Sequence, residues 1–122
     1  MSKLRLTPED HLRGKVIPPG WYPIEVANVE EKPAKSDGST NWSIECKVID
    51  GELKGVVLYT NFNEKAPGFA KNFIVASGGK LNPKETVEYD LSRSIGQKMQ
   101  AYVTNELYNN NMTNKLTDFK PI

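Results

Sequence analysis

The chain has 122 residues, 38% hydrophobic and 25% charged, with 16 basic side chains against 15 acidic ones for a net charge of +1. That length suits one domain with a core of its own, and the near-neutral balance excludes a strongly basic nucleic-acid binder while leaving room for a local basic patch. The single cysteine forbids an intrachain disulfide, and the sequence shows neither an apolar run of about 20 residues nor an apolar signal core, so no membrane contact is expected and the cytoplasm is the expected compartment.

Residues 1–19 follow no hydrophobic period. Lys3, Arg5, Arg13 and Lys15 make them mildly basic and Pro18-Pro19 stiffen their end, so they read as a surface arm, with the folded domain expected over 20–122. Gly20 to Glu31 is a first strand with Tyr22, Ile24 and Val26 on one face and Trp21 on the other. The parity breaks before Val29, which calls for a bulge near Ala27-Asn28. Pro23 cannot donate to a ladder, so its side must be an edge or a bulge. Lys32 to Asn41, with Lys32, Lys35, Ser36 and Gly38, is a loop by composition.

Trp42 to Asn63 reads as a hairpin. Trp42, Ile44, Cys46 and Val48 share one parity, as do Val56, Leu58 and Phe62, while Ser43, Glu45 and Lys47 take the wet face. Asp50-Gly51 starts a turn that should run on to Gly55. In Pro67 to Ser77, Phe69, Ala70, Phe73 and Ile74 fall at helical spacing, with Pro67 suited to a first turn and Gly78-Gly79 to a stop. Residues 80–95 are irregular, with a short strand or turn expected around Thr86 to Tyr89. From Gly96 to Tyr108, Met99, Ala101, Val103 and Leu107 alternate with Lys98, Gln100, Tyr102 and Thr104. Asn109-Asn110-Asn111 is a turn, and Thr113 to Ile122 supplies a last strand.

Three strands, one helix and two strands is the element order of a five-stranded OB-like β-barrel, with the helix plugging one end through Phe69, Phe73 and Ile74. The first strand should pair with both the second and the fourth.

Catalytic chemistry finds little to work with. One histidine and one cysteine cannot furnish a four-ligand zinc site. Cys46 falls on the apolar parity of a strand, His11 stands apart from any nucleophile motif, and the adjacent pair Glu30-Glu31 points to opposite faces of a strand. No phosphate-cradling glycine string occurs. A non-enzymatic protein without metal or cofactor is expected.

What remains is a binding surface. Single strands of nucleic acid are held by exposed rings and by cations that follow the phosphates. Strand parity puts Tyr59 on the wet face of the hairpin near Lys47, and puts Trp21 and Tyr102 outside, with Tyr108 at the mouth of the asparagine turn. Trp42 and Phe62 share the core parity. Four lysines and no acid lie between Lys65 and Lys84 (65, 71, 80 and 84), offset afterwards by Glu85, Glu88 and Asp90. The candidate contacts are therefore Trp21, Lys32, Lys35, Lys47, Tyr59, Lys65, Lys71, Tyr102 and Tyr108.

The string GWYPIEVANVEEKPAKSDGSTNWSIECKVIDGELKGVVLYTNF, followed by GQKMQAYV, resembles small OB-fold-type proteins encoded among the replication and recombination genes of tailed bacteriophages. The shared pattern is G-x-Y-x-x-x-V, a Lys- and Ser/Gly-containing loop, an aliphatic strand ending in I-D-G, then G-x-x-L-Y and G-x-K-x-x-A-x-V, spread over about residues 20–120. The resemblance implies single-stranded DNA binding in phage or bacterial replication or recombination, with replication or recombination proteins as partners, and is compatible with a homo-oligomer. Bacterial proteins of this function typically carry an acidic tail, which Asp118-Phe119-Lys120-Pro121-Ile122 is not, so tail-mediated recruitment is not expected. The alternative expectation is a phage structural or assembly protein whose barrel contacts other proteins.

Overall fold

Each alternating stretch of the sequence forms a strand in the computed structural model, which describes residues 3–7, 15–34 and 38–122. The strands are β1 (Gly20–Pro33), β2 (Thr40–Val48), β3 (Val57–Asn63), β4 (Lys98–Tyr108) and β5 (Asn111–Lys120). All neighbours run antiparallel in one sheet ordered β3-β2-β1-β4-β5. One short helix, α1 (Lys71–Ala76), lies between β3 and β4.

β1 is long enough to serve two partners. Its first half, Gly20 to Glu25, pairs with β4, and Ile24 to Pro33 pairs with β2. The register shifts between Val26 and Asn28, the bulge that the change of parity requires. Val26 is buried before it and Val29 packs on the core after it. Pro23 also falls where its chemistry demands. Its carbonyl accepts the Ile49 N–H at 3.0 Å, so its donor-less nitrogen faces β2 just beyond the last ladder pair, Ile24 and Val48.

The β2–β3 turn is longer than two residues, as its sequence indicates. Asp50 Oδ1 accepts the Gly51 N–H at 2.8 Å, and the Gly55 N–H returns to the Val48 carbonyl at 2.8 Å. Between β4 and β5 the chain reverses through Asn109 and Asn110, with φ of 50° and 65°. This is the left-handed pair that a two-residue hairpin turn needs and asparagine tolerates.

Ile24, Val26, Ile44, Cys46, Val48, Leu58, Phe62, Phe73, Met99, Ala101 and Val103 form the core, and Trp42 and Ile74 pack at its edge half-buried. Phe73 is the largest fully buried side chain, with Phe62 and Phe119 each 5.2 Å away, centroid to centroid. Phe69 departs from expectation: it is 79% exposed. Pro67–Ala70 is a 3-10 turn that precedes α1. Its tighter winding turns Phe69 away from the face that Phe73 shares with the sheet. Leu107, of core parity, is also exposed, because β4 and β5 run on past the core as a two-stranded ribbon. Thr86 to Tyr89 forms no strand, and order returns in a 3-10 turn at Leu91–Ser94. Asp90 caps that turn by accepting from the Ser92 hydroxyl and N–H. These two bonds hold its carboxyl below the usual carboxylate range.

The packed chain reaches back to Ile17, which is buried. Its N–H donates to Asn114 Oδ1 at 3.0 Å, while Asn114 Nδ2 donates to the Lys15 carbonyl and Asn105 Nδ2 to that of Ile17. The C-terminal end of the expected arm is thus strapped to β4 and β5 by two facing asparagines.

The ladder ends at β3 on one side and at β5 on the other, so the sheet is open. Number, order and pairing of strands and the place of the helix match the expectation, whereas closure by hydrogen bonds is not present between these edges. Instead they face each other across a trench. Among the described residues, no helix is long and apolar enough to cross a membrane.

Candidate nucleic-acid interface

The two free edges face each other across a concavity. A groove of about 510 Å³ lies between Tyr59–Phe62 of β3 and Asn114–Phe119 of β5. A second groove of about 250 Å³ joins it at one end, sharing Tyr59 and Asn114 and reaching Met112. A third of about 280 Å³ joins it at the other, sharing Phe69, Thr117 and Phe119 and reaching Lys71 and Asp118. The trench therefore follows β5 from Met112 to Asp118. At about 3.3 Å per residue that is about 20 Å.

Two rings stand on its β3 side. Tyr59 is 48% exposed, because Leu58 takes the inward position of the strand. Phe69 is exposed for the 3-10 reason given above. The Phe62, Phe73 and Phe119 cluster lies behind them, with Phe62 and Phe119 also lining the groove. This cluster fixes the floor against which the rings are presented.

The cations are few. Lys115 lines the central groove and meets Glu106 at 3.3 Å, both side chains being about half exposed. A surface pair of that kind contributes about 0–1 kcal/mol, little enough for a phosphate to displace the carboxylate. Lys71 lines the end groove and is exposed. Asn61, Thr60, Asn114 and Thr117 supply neutral donors and acceptors between them.

The nine residues expected to contact nucleic acid do not form one patch. Tyr59 and Lys71 line the trench, whereas Lys65 sits in the turn after β3 and lines none of its grooves. Tyr59 stands directly opposite Glu45 and donates to its Oε1 at 3.1 Å, with Lys47 opposite Val57 two pairs along. Lys47 in turn faces Glu25 across the β1–β2 ladder. Carboxylates therefore interrupt the outer hairpin face, which is less cationic than its sequence parity implied. Trp21 and Tyr102 come together, ring centroids 5.3 Å apart and edge to face, but on the β1–β4 side. Lys32 pairs with Glu30 at 3.4 Å at the far end of β1. Tyr108 is exposed at the β4–β5 tip beside Leu107. Lys35 lies outside the described residues, as does His11.

Three contributors escape sequence reasoning. Phe69 is assigned to the core by helical spacing. Lys115 and Lys120 belong to β5, whose register shifts opposite Tyr102 and Val103, so that Leu116 and Phe119 are buried three apart and parity cannot sort their neighbours. Lys120 Nζ lies 4.2 Å above the Trp21 ring. The one signal available is that short spacing of apolar residues in an otherwise alternating strand.

Cys46 is fully buried, and burial, with Glu45 beside it, pushes its thiol up to about 12. Among the described residues, no three His, Cys, Asp or Glu side chains converge to hold a metal ion.

Residues 8–121 match a family model described as "Protein of unknown function (DUF669)". No curated protein matches the chain.

Proposed function

We propose that this chain, which belongs to the DUF669 family, is an OB-like barrel that binds single-stranded DNA along its β3–β5 trench. The observation that carries the reading is the pairing of two exposed rings, Tyr59 and Phe69, with a trench about 20 Å long, of mixed polar and apolar lining, whose rims bear Lys71 and Lys115. Bases need such platforms because every base has a π-face, and the phosphates need only a few cations spaced along them. The bent β1 shared by β2 and β4, with a helix after β3, supports the barrel. On this reading the uncoupled edge is the binding cleft itself. The resemblance of the Gly20–Phe62 stretch to phage replication and recombination proteins supports that setting for the activity, with no catalytic step assigned.

The test is a titration of fluorescently labelled oligo-dT by anisotropy. Tyr59→Ala and Phe69→Ala should each lose about 1–3 kcal/mol of affinity, while Tyr59→Phe keeps most of it because stacking uses the ring. Each exposed substitution should change stability by no more than about 0.5 kcal/mol, checked by thermal melting. Full binding by both alanine variants would overturn the trench as the site. Absence of binding by the wild type would favour the protein-contact alternative, for which the exposed Leu107, Tyr108 and Met112 at the ribbon tip speak.

A further inference from the structure

The trench ends at Asp118, and Asp118 begins a straight row across the outer face of three strands. Asp118 of β5 is in register with Tyr102 of β4, and Tyr102 is in register with Trp21 of β1. Adjacent strands are about 4.8 Å apart, so Trp21 stands about 10 Å from the end of the trench. One row along, Lys120 is opposite Gln100, and it folds back diagonally to place its ammonium 4.2 Å above the Trp21 ring. Trp21 is 38% exposed. Tyr102 meets it with an interplanar angle of 65°, so the tyrosine edge braces the indole without covering it flat.

Resting on the single-strand reading above, we infer that Trp21, Tyr102 and Lys120 form a second stacking station for the same DNA strand, reached by crossing β5 and β4 at Asp118 and Tyr102. Trp21 supplies the platform and Lys120 supplies both its cover and its cation. In the free protein the ammonium rests on the ring by cation–π attraction, which at an exposed site is weak. A phosphate is the stronger partner for a lysine. When a strand arrives, Lys120 moves to the phosphate and vacates the indole face that the base then takes. Asp118 is the one anion of the row. Its Oδ1 accepts from Asn72 Nδ2 at 2.7 Å and from the Phe119 N–H at 2.8 Å. A carboxylate fixed there repels phosphate, so the strand crosses with its backbone turned away from β5. A strand confined to the trench never reaches Trp21, whereas a longer one engages both stations.

The experiment compares oligo-dT of about 4 and about 16 nucleotides, the ends of the range that one such barrel covers. Trp42→Phe leaves Trp21 as the sole tryptophan, and its emission reports the second station. The long oligonucleotide should quench that emission and the short one should bind without quenching. In the otherwise unaltered protein, Trp21→Ala should weaken long-oligonucleotide binding about 5- to 150-fold and leave the short one unchanged. Lys120→Ala, an exposed change, should flatten the salt slope by about 0.7 for the long one only. Equal quenching by both lengths would overturn the inference, as would Trp21→Ala acting on both lengths or on neither while the oligonucleotide still binds. No binding at either length would overturn the single-strand reading itself, and this inference with it.

Discussion

Glu45 and Cys46 are consecutive residues of β2 on opposite faces of the sheet, and their chemistry diverges accordingly. Glu45 holds the Tyr59 hydroxyl in water, while Cys46 is sealed in the core with its thiol raised to about 12. In the unfolded chain the thiol ionises near 9.0. The folded-state value is the higher one, so the stabilisation is fully present below about 9 and is lost as the pH rises towards about 12. Denaturant melts of the wild type and of Cys46→Ala should therefore converge across that window, other titrating groups cancelling in the difference. Below pH 9 a thiol reagent should label Cys46 no faster than the chain unfolds. Rapid labelling of folded protein would show that the strand opens locally. Single-residue fates of this kind were legible wherever parity held, as at Leu58 against Tyr59. They were not legible at Lys120, because the bulged register of β5 removes the period from which a side chain's face is read.

At the scale of elements, the stretch Pro67 to Ser77 shows both what a sequence reveals and what it hides. Its end was plain from Gly78-Gly79. Gly78 takes φ +91°, its N–H returns to the Val75 carbonyl, and that of Gly79 reaches Ile74, the paired bonds of a Schellman stop. Its beginning was not plain, since a 3-10 turn and an α-helix share the same composition and differ only in winding. The four-residue spacing of Phe69 and Phe73 passed for one apolar face and concealed a candidate stacking ring. The two glycines should differ under substitution. A Cβ on Gly78 meets nothing within 4 Å, so Gly78→Ala carries only the cost of its positive φ, about 1 kcal/mol. A Cβ on Gly79 would lie 2.6 Å from Ile74 Cγ2, 2.9 Å from Tyr89 Cε2 and 3.0 Å from the Ile74 carbonyl oxygen. Such overpacking costs about 1–3 kcal/mol, and it forces Tyr89 and Ile74 apart. Thermal melting should rank Gly79→Ala at or below Gly78→Ala. The reverse order would mean that the loop from Gly79 to Tyr89 yields freely.

For the whole molecule, the decisive quantity is how little positive charge the chain brings to its candidate ligand. A net charge of +1 cannot hold a polyanion by its overall field, so binding must come from rings and a few placed lysines. The sequence made the balance legible but not the placement: Lys32 is taken by Glu30, Lys47 faces Glu25, and the lysines that flank the trench and its continuation are Lys71, Lys115 and Lys120. Each phosphate neutralised on a single strand contributes about −0.7 to the slope of log affinity against log salt. Lys71 and Lys115 alone give about −1.4, and Lys120 brings a long strand to about −2.1. Titrations of a long oligo-dT at four sodium chloride concentrations measure this directly. A slope steeper than about −4 would require more phosphate contacts than these rims offer and would move the site to the lysines between Lys80 and Lys98. A slope of zero would remove the polyanion altogether. Within the expected range, high salt should weaken binding only modestly, because the stacking proposed for Tyr59 and Phe69 does not release counterions. The residual affinity at high salt should then fall in Tyr59→Ala and Phe69→Ala and persist in Lys71→Ala, a separation that a purely electrostatic surface could not produce.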